Sequence, residues 1–288
     1  MTAAFDLRPL SPTLGAEVTG LDLSQPLDPA TTDALAAALD THLVLAFRGQ
    51  SLGDADLVRF SAGFGRLDKA PITEHGRLHA PGFEEVYVIS NVVEDGRPIG
   101  ALGAGESAWH ADMTYLEDPP FGSCLYALEV PTEGGDTGFI SMFAAYEALP
   151  EELRRRVEGL TLKHDSTTNS GGYLRRGYET PGDLAASPGT VHPLVITHPG
   201  SGRRALLLGR RLNAYIPGLP VAESEALLDA IWEHALPPGL AWHHRWRVGD
   251  LVMWDNRWTM HRRDPFPSDQ RRRMHRTQIG VRHENHRP

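Results

Sequence analysis

What most constrains the fold of this chain is its punctuation: short runs of strand character, bounded by glycine or proline, that are not interleaved regularly with helices. The runs cover residues 42–47, 86–91, 123–130, 137–142, 191–198, 205–208, 242–248 and 251–254. Gly134-Gly135-Asp136 and His198-Pro199-Gly200-Ser201-Gly202 are clear breaks between them, because these residue types supply the backbone angles that turns need. A doubly wound parallel sheet requires strands and helices to alternate. The pattern therefore predicts a mainly β architecture, a mostly antiparallel sandwich with peripheral helices.

Helical spacing is confined to a few segments. Residues 31–39 are rich in alanine and leucine, with Thr32 as the expected cap. Residues 54–64 put Leu57, Phe60 and Phe64 on one face, the repeat of an amphipathic helix. Two short helices are expected over 143–149 and 150–160, with Pro150 in the first turn of the second. Residues 222–235 align Leu227, Leu228, Ile231, Trp232 and Ala235. These stripes read as core-packing surfaces. The stretch 160–191, rich in Ser, Thr, Gly and Tyr, reads as one long irregular loop, and such loops often serve as lids. With 288 residues and no internal repeat, the chain is expected to form one domain, 1–288.

Composition narrows the function. The net charge is −9, and one basic run stands out, Arg271-Arg272-Arg273 followed by His275-Arg276. Nucleic-acid binding needs a basic face, so no nucleic-acid partner is expected. The single cysteine, Cys124, rules out an intrachain disulfide and a thiolate metal cluster. No run of about 18 apolar residues is present, and the start of the chain lacks a signal-peptide pattern. A cytoplasmic protein without membrane contact is the expectation.

The strongest local signal is Trp109-His110-Ala111-Asp112. On an extended segment residues two apart point to the same side, so His110 and Asp112 can grip one ion. His261, beyond a predicted strand, is the best third ligand, ahead of His192, His198, His243 and His244. Two histidines and a carboxylate on one face leave the other face open, which suits iron(II) oxygenases. A zinc hydrolase can use the same three residue types, and a binding protein without catalysis is a third possibility. Arg272, eleven positions after His261, adds a guanidinium able to clamp a carboxylate through two parallel hydrogen bonds. That carboxylate would be the far end of 2-oxoglutarate, with Thr137 donating a hydroxyl to the same end.

At this point the residues resemble the taurine dioxygenase / 2,4-dichlorophenoxyacetate dioxygenase family. The matching pieces run nearly end to end. They include Leu14-Gly-Ala-Glu-Val-Thr-Gly-Leu-Asp-Leu23, Phe64-Gly65, Trp109-His-Ala-Asp-Met-Thr-Tyr115 and Pro119-Pro120. Further along are Gly134-Gly-Asp-Thr-Gly138, Val191-His-Pro-Leu-Val195, Thr197-His-Pro199, Trp254-Asp-Asn-Arg257, His261 and Arg272-Arg-Met-His-Arg276. The resemblance implies a double-stranded β-helix, or jelly roll. It implies Fe(2+) held by His110, Asp112 and His261, 2-oxoglutarate contacts from Thr137 and Arg272, and dioxygen as the other cosubstrate. The implied reaction is oxidative decarboxylation of 2-oxoglutarate to succinate and carbon dioxide, coupled to hydroxylation of a C–H bond. No protein acid or base is required, so no catalytic residue is assigned beyond the metal ligands. Substrate contacts are expected from Arg276, at a position that often faces an anionic group, and from Tyr115. Trp254 is expected near the metal as a packing residue. A homodimer or homotetramer is expected.

The departures from the taurine pattern are informative. Beside Pro71 stand Ala70 and Thr73, Glu106 precedes His110 by four positions, and no aromatic residue stands near Leu212. Taurine is therefore a poor candidate. The segment Gly134-Gly-Asp-Thr-Gly-Phe-Ile-Ser-Met142 is similar to the aryloxyalkanoate branch, which implies a bulkier or less polar small anion.

Overall fold

The apolar runs are continuous because their strands are covered on both faces. In the strand Val44–Phe47, Val44 and Ala46 enter one buried cluster while Leu45 and Phe47 enter another. The strand Leu251–Asp255 repeats the alternation, with Val252 and Trp254 on the first side and Leu251 and Met253 on the second. Gly122–Glu129 does the same with Leu125 and Ala127 against Cys124 and Tyr126. This is the two-residue period of a strand, with each face given its own core.

The computed structural model describes residues 5–73, 76–104 and 107–283. Among them, a ten-stranded, mostly antiparallel sheet runs in the order Asp6–Pro9, Ala16–Thr19, Val44–Phe47, Leu251–Asp255, Gly122–Glu129, Arg273–Arg282, Phe83–Ser90 and Ala101–Leu102. Gly65–Asp68 and His79–Ala80 pair onto it from the side. A four-stranded sheet has the order Ser107–His110, Thr259–Arg263, Thr137–Ser141 and Trp242–His244. The two sheets share the core containing Phe139, Ile140, Met260, Val252 and Trp254. This mostly-strand sandwich is a jelly roll.

The helices cover the outer faces. Pro29–His42 and Asp54–Ala62 lay Leu35, Leu39, Leu57 and Phe60 over Leu45, Phe47 and Met253. Met142–Ala148 and Val221–Ala235 pack on the other side, through Met142, Phe143, Leu227, Leu228 and Ile231. No helix among the described residues is long and apolar enough to cross a membrane.

Several boundaries differ from expectation, each for a local reason. The first helix starts at Pro29 with Asp28, not Thr32, as its cap. The Asp28 carboxylate accepts from the Thr31 amide at 2.9 Å, and proline suits the first helical position, where the missing N–H costs nothing. Pro150 is the residue before the helix Glu151–Val157 rather than part of its first turn. The run 191–198 breaks at Leu194 into Gly189–Pro193 and Val195–Thr197, which pair with different partners. The largest correction concerns 160–191. Its ends are strands, Thr161–Asp165 paired with Gly189–Pro193, and only 166–188 lies between them.

Candidate active site

The four-stranded sheet builds the metal corner by register alone. His110 lies directly opposite His261 across the pair Ser107–His110 and Thr259–Arg263. On the other side of the central strand, Phe139 faces His261 and Thr137 faces Arg263. Asp112 follows on the turn after His110. Among the described residues, His110, Asp112 and His261 are the group of three whose ligand atoms all fall within 4.8 Å of one another, and all three are buried. His110 Nε2 lies 3.6 Å from one Asp112 oxygen and His261 Nε2 lies 3.8 Å from the other. An ion with adjacent ligands at roughly 2.1 Å needs donor atoms about 3 Å apart, so a small inward adjustment would close the triad on a divalent cation.

Protonation favours that use. His110 Nδ1 lies 2.8 Å from the Ala108 carbonyl. A carbonyl only accepts, so Nδ1 carries a hydrogen and Nε2 is the nitrogen turned to Asp112. Burial, with the neighbouring charge of His110, pushes His261 down to about 3, so its ring is neutral. Burial alone would raise the Asp112 carboxyl, but Arg276, His261 and His110 outweigh it and hold Asp112 well below the usual carboxylate range. Two imidazoles and one carboxylate are the residue types of a 2-His-1-carboxylate site. The donor set therefore fits a divalent iron centre.

The segment that carries Asp112 is tied down on both sides. Asn256 accepts from the Asp112 amide at 2.7 Å and donates to the Asp112 carbonyl at 2.9 Å and to the Pro120 carbonyl at 3.2 Å. The Ala111 amide donates to the Gly209 carbonyl at 3.0 Å. Gly209 has φ +60°, and a Cβ there would lie 2.1 Å from His164 Nδ1 and 2.5 Å from Thr114 Oγ1, so only glycine lets this backbone approach. Trp254 stacks at a tilt near His261, with ring centroids 4.9 Å apart, in the packing role expected of it.

The triad opens into a cavity of about 450 Å³ whose walls include Arg175, Arg210, Arg263, Arg272 and Arg276. Asp112 is the only carboxylate among its described lining residues. Arg272 is 2% exposed, and its Nε is buried without an acceptor. Burial, with repulsion from Arg263, pushes its guanidinium down to about 9, so it stays charged near neutrality. A buried cation costs several kcal/mol unless it is paired. Among the described residues no carboxylate lies within ion-pair distance of Arg272, Asp136 acting only from farther away, so an anion entering the cavity would relieve its burial. The backbone beside it is held by Ser90 and Asn91: Ser90 Oγ donates to the Arg272 carbonyl and the Arg272 amide donates to Asn91 Oδ1. Gly135, at φ +68°, passes so close that a Cβ would sit 3.4 Å from Arg272 Nε. Thr137 lines the same cavity. Its Oγ1 accepts from Trp246 Nε1 at 2.9 Å, which leaves its own hydroxyl hydrogen free to donate elsewhere.

The remaining candidates divide. Arg276 lines the cavity, but its Nη1 donates to both Asp112 oxygens, at 3.2 and 3.3 Å, and its Nη2 to Gln278 Oε1 at 3.0 Å. Tyr115 lines the cavity under the guanidinium of Arg175, 3.9 Å from the ring centre. The competing histidines sit elsewhere: His192 Nε2 faces the Thr114 and Leu116 carbonyls, His198 packs on Phe143 and Trp258, His243 pairs with Asp264, and His244 with Asp250. Of the positions that depart from the taurine pattern, Pro71 lines the cavity, whereas Leu212 is half exposed and away from it. Glu106 and the side chain of Thr73 lie outside the described residues. Sequence reasoning missed the supporting roles of Asn256, Trp246 and Arg263. Asn256 at least stood inside the quoted Trp254-Asp-Asn-Arg257 motif.

Comparison with known proteins agrees with this geometry. The family described as taurine catabolism dioxygenase TauD, TfdA family, matches residues 6–278. The chain is 37% identical, over 93% of its length and 95% of the relative's, to the alpha-ketoglutarate-dependent 2,4-dichlorophenoxyacetate dioxygenase of Cupriavidus pinatubonensis. It is 36% identical, over 97% and 96%, to the (S)-phenoxypropionate/alpha-ketoglutarate-dioxygenase of Sphingobium herbicidovorans. Among solved structures, AAD-2 in complex with Mn(II) and N-oxalylglycine superposes with a TM-score of 0.78 at 31% identity, covering 96% of this chain and 98% of that one. With a jelly roll, a gathered His-Asp-His triad and relatives matching over almost the whole length, the chain belongs to the TauD/TfdA family of alpha-ketoglutarate-dependent dioxygenases.

Proposed function

We propose that this protein is an iron(II)- and 2-oxoglutarate-dependent dioxygenase that hydroxylates a small anionic organic substrate, releasing succinate and carbon dioxide. His110, Asp112 and His261 would hold the iron, and Arg272 and Thr137 the far carboxylate of 2-oxoglutarate. When bound, the iron supplies the activation of dioxygen. The chain's own residues prepare the site for it. Ala108 fixes the His110 tautomer, Arg276 keeps Asp112 ionised, and Asn256 holds the Asp112 backbone. Trp246 occupies the Thr137 oxygen, so that the Thr137 O–H points its hydrogen at an incoming acceptor. Ile89, Leu125 and Met113 supply apolar wall, which limits water at the reacting carbon.

The observation that carries this reading is Arg272, a buried guanidinium with no carboxylate within ion-pair distance among the described residues, in the cavity that the triad opens into. A zinc hydrolase would need a second base near the metal, and the cavity offers no carboxylate besides Asp112 among its described lining residues. A non-catalytic binding protein would have no need of the triad.

The substrate class follows from the cationic lining and from the aryloxy-acid relatives. We propose an organic acid with a bulky apolar body, oxidised next to an ether oxygen or another heteroatom. Hydroxylation there yields a hemiacetal or its analogue, which collapses to a carbonyl compound with cleavage of the carbon–heteroatom bond. The proposal also includes Tyr115 as substrate wall, Arg276 beside the substrate through Asp112, residues 166–188 as a lid over the mouth, one domain, and a cytoplasmic homodimer or homotetramer. The test is succinate release across aryloxy acids, alkyl sulfates, sulfonates, phosphonates and amino acids, with iron(II) and ascorbate. Release that depends on iron(II) and one substrate class supports the reading. Turnover supported by zinc and independent of 2-oxoglutarate contradicts it.

A further inference from the structure

The cavity has a second cationic corner that neither the metal nor the cosubstrate explains. Arg210 forms a backbone bridge with His110, so its side chain departs beside a metal ligand. Arg175 comes from the 166–188 segment. Arg175 Nε donates to the Thr168 carbonyl at 3.0 Å, and Arg210 Nη1 donates to the same carbonyl and to Thr168 Oγ1. Two guanidinium groups thus converge on one neutral oxygen. Neither has a carboxylate within ion-pair distance among the described residues, and Arg210 Nε is buried without an acceptor. Burial, with repulsion from Arg175, pushes Arg210 down to about 10, as expected of like charges held together out of water.

This corner is separate from the Arg272 end. Along the strand Ser107–His110, Arg263 and Thr137 cluster at the Ser107 end, while Arg210 bridges the His110 end. Three residues of strand separate those ends by roughly 10 Å. Arg276, the other cation at the metal, has both terminal nitrogens engaged by Asp112 and Gln278. Tyr115 supports Arg175 from below, and Leu174, Met113 and Leu102 add apolar wall to the cavity.

We propose that Arg175 and Arg210 form the receptor for the anionic group of the primary substrate, an oxyanion on an apolar body seated against Tyr115. The inference rests on the dioxygenase reading, since it takes the Arg272 end as filled by the cosubstrate. Two guanidinium forks suit a carboxylate or a sulfate equally.

The test is calorimetric titration of the full-length protein loaded with Mn(II) and N-oxalylglycine. The probes are phenoxyacetate, hexyl sulfate and the uncharged phenoxyacetamide. At least one anion should bind, with the amide weaker by roughly tenfold or more, and the preferred anion distinguishes carboxylate from sulfate. Arg210→Gln and Arg175→Gln should each weaken that anion by about 10- to 100-fold, the loss of charge-assisted hydrogen bonds. N-oxalylglycine binding should stay within about threefold, which a merely structural role for the pair would not allow. If Arg210→Gln does not fold, Arg175→Gln, on the loop, carries the test. Unchanged anion affinity in the variants, equal binding of the amide, or no anion binding by the wild type overturns the proposal. Failure of the wild type to bind N-oxalylglycine would instead remove the cosubstrate site, and this inference with it.

Discussion

The two halves of the cavity are built on opposite principles. At the triad the segment that carries His110 and Asp112 is pinned, His110 by Ala108, the Asp112 oxygens by Arg276 and the Asp112 backbone by Asn256, while His261 Nδ1 is buried without a partner. Around Arg272, and again around Arg175 and Arg210, no carboxylate stands within ion-pair distance among the described residues, and Asp136 and Asp165 act on Arg272 and Arg210 only from farther away. The difference separates what the fold prepares from what it leaves to be supplied. Ligands that must hold one geometry are pinned by neighbours, whereas cations that must receive an anion are buried without one, so that binding relieves their desolvation.

The sharpest way to break this contrast is at the pinned side. Asp112→Ala should abolish succinate release, because it removes a ligand and leaves Arg276 facing no carboxylate; turnover near wild type would take Asp112 away from the metal. On the receptive side, Arg272→Ala should raise the 2-oxoglutarate requirement by about 10- to 100-fold, from loss of a charge-assisted bond of ~1.5–3 kcal/mol. An unchanged requirement measured by steady-state kinetics would remove Arg272 from the cosubstrate site. Trp246→Phe joins the two halves, since Trp246 aims the Thr137 hydroxyl. It should weaken 2-oxoglutarate by about 2- to 10-fold, the worth of one neutral hydrogen bond, while metal affinity stays constant. The smallest effect is expected far from both. Burial pushes the Cys124 thiol up to about 12, so the folded protein should resist alkylation at neutral pH, and rapid labelling followed by mass spectrometry would contradict that packing.

Legibility in the sequence followed the same divide. The pair His110 and Asp112 is suggested by its spacing of two, although the strand ends at His110 and Asp112 stands on the following turn rather than on an extended segment, and the β-rich class by turn residues between apolar runs. The supporting groups could not be read this way, because they depend on distant register: Trp246 reaches Thr137 across 109 residues and Asn256 reaches Asp112 across 144. The strand Thr161–Asp165 was hidden for a different reason. Lys163, His164 and Asp165 are polar yet buried, and each makes a side-chain hydrogen bond, with the Leu184 carbonyl, the Thr114 hydroxyl, and Thr167 with Thr168. Hydrophobic periodicity cannot find a strand whose interior positions are hydrogen-bonded rather than apolar. The crowding of Arg175 and Arg210 was equally invisible, since it is made where the 166–188 segment meets the residue opposite His110.

The most direct test of the central claim, one divalent metal site shared with a 2-oxo acid, is an anaerobic titration of the apoprotein with iron(II) followed by 2-oxoglutarate, monitored by visible absorption. The account predicts a weak charge-transfer band that requires both additions, saturates at one equivalent of iron, and is absent in Asp112→Ala. A band that appears without 2-oxoglutarate, or none at saturating iron(II) and 2-oxoglutarate in the wild type, would contradict it.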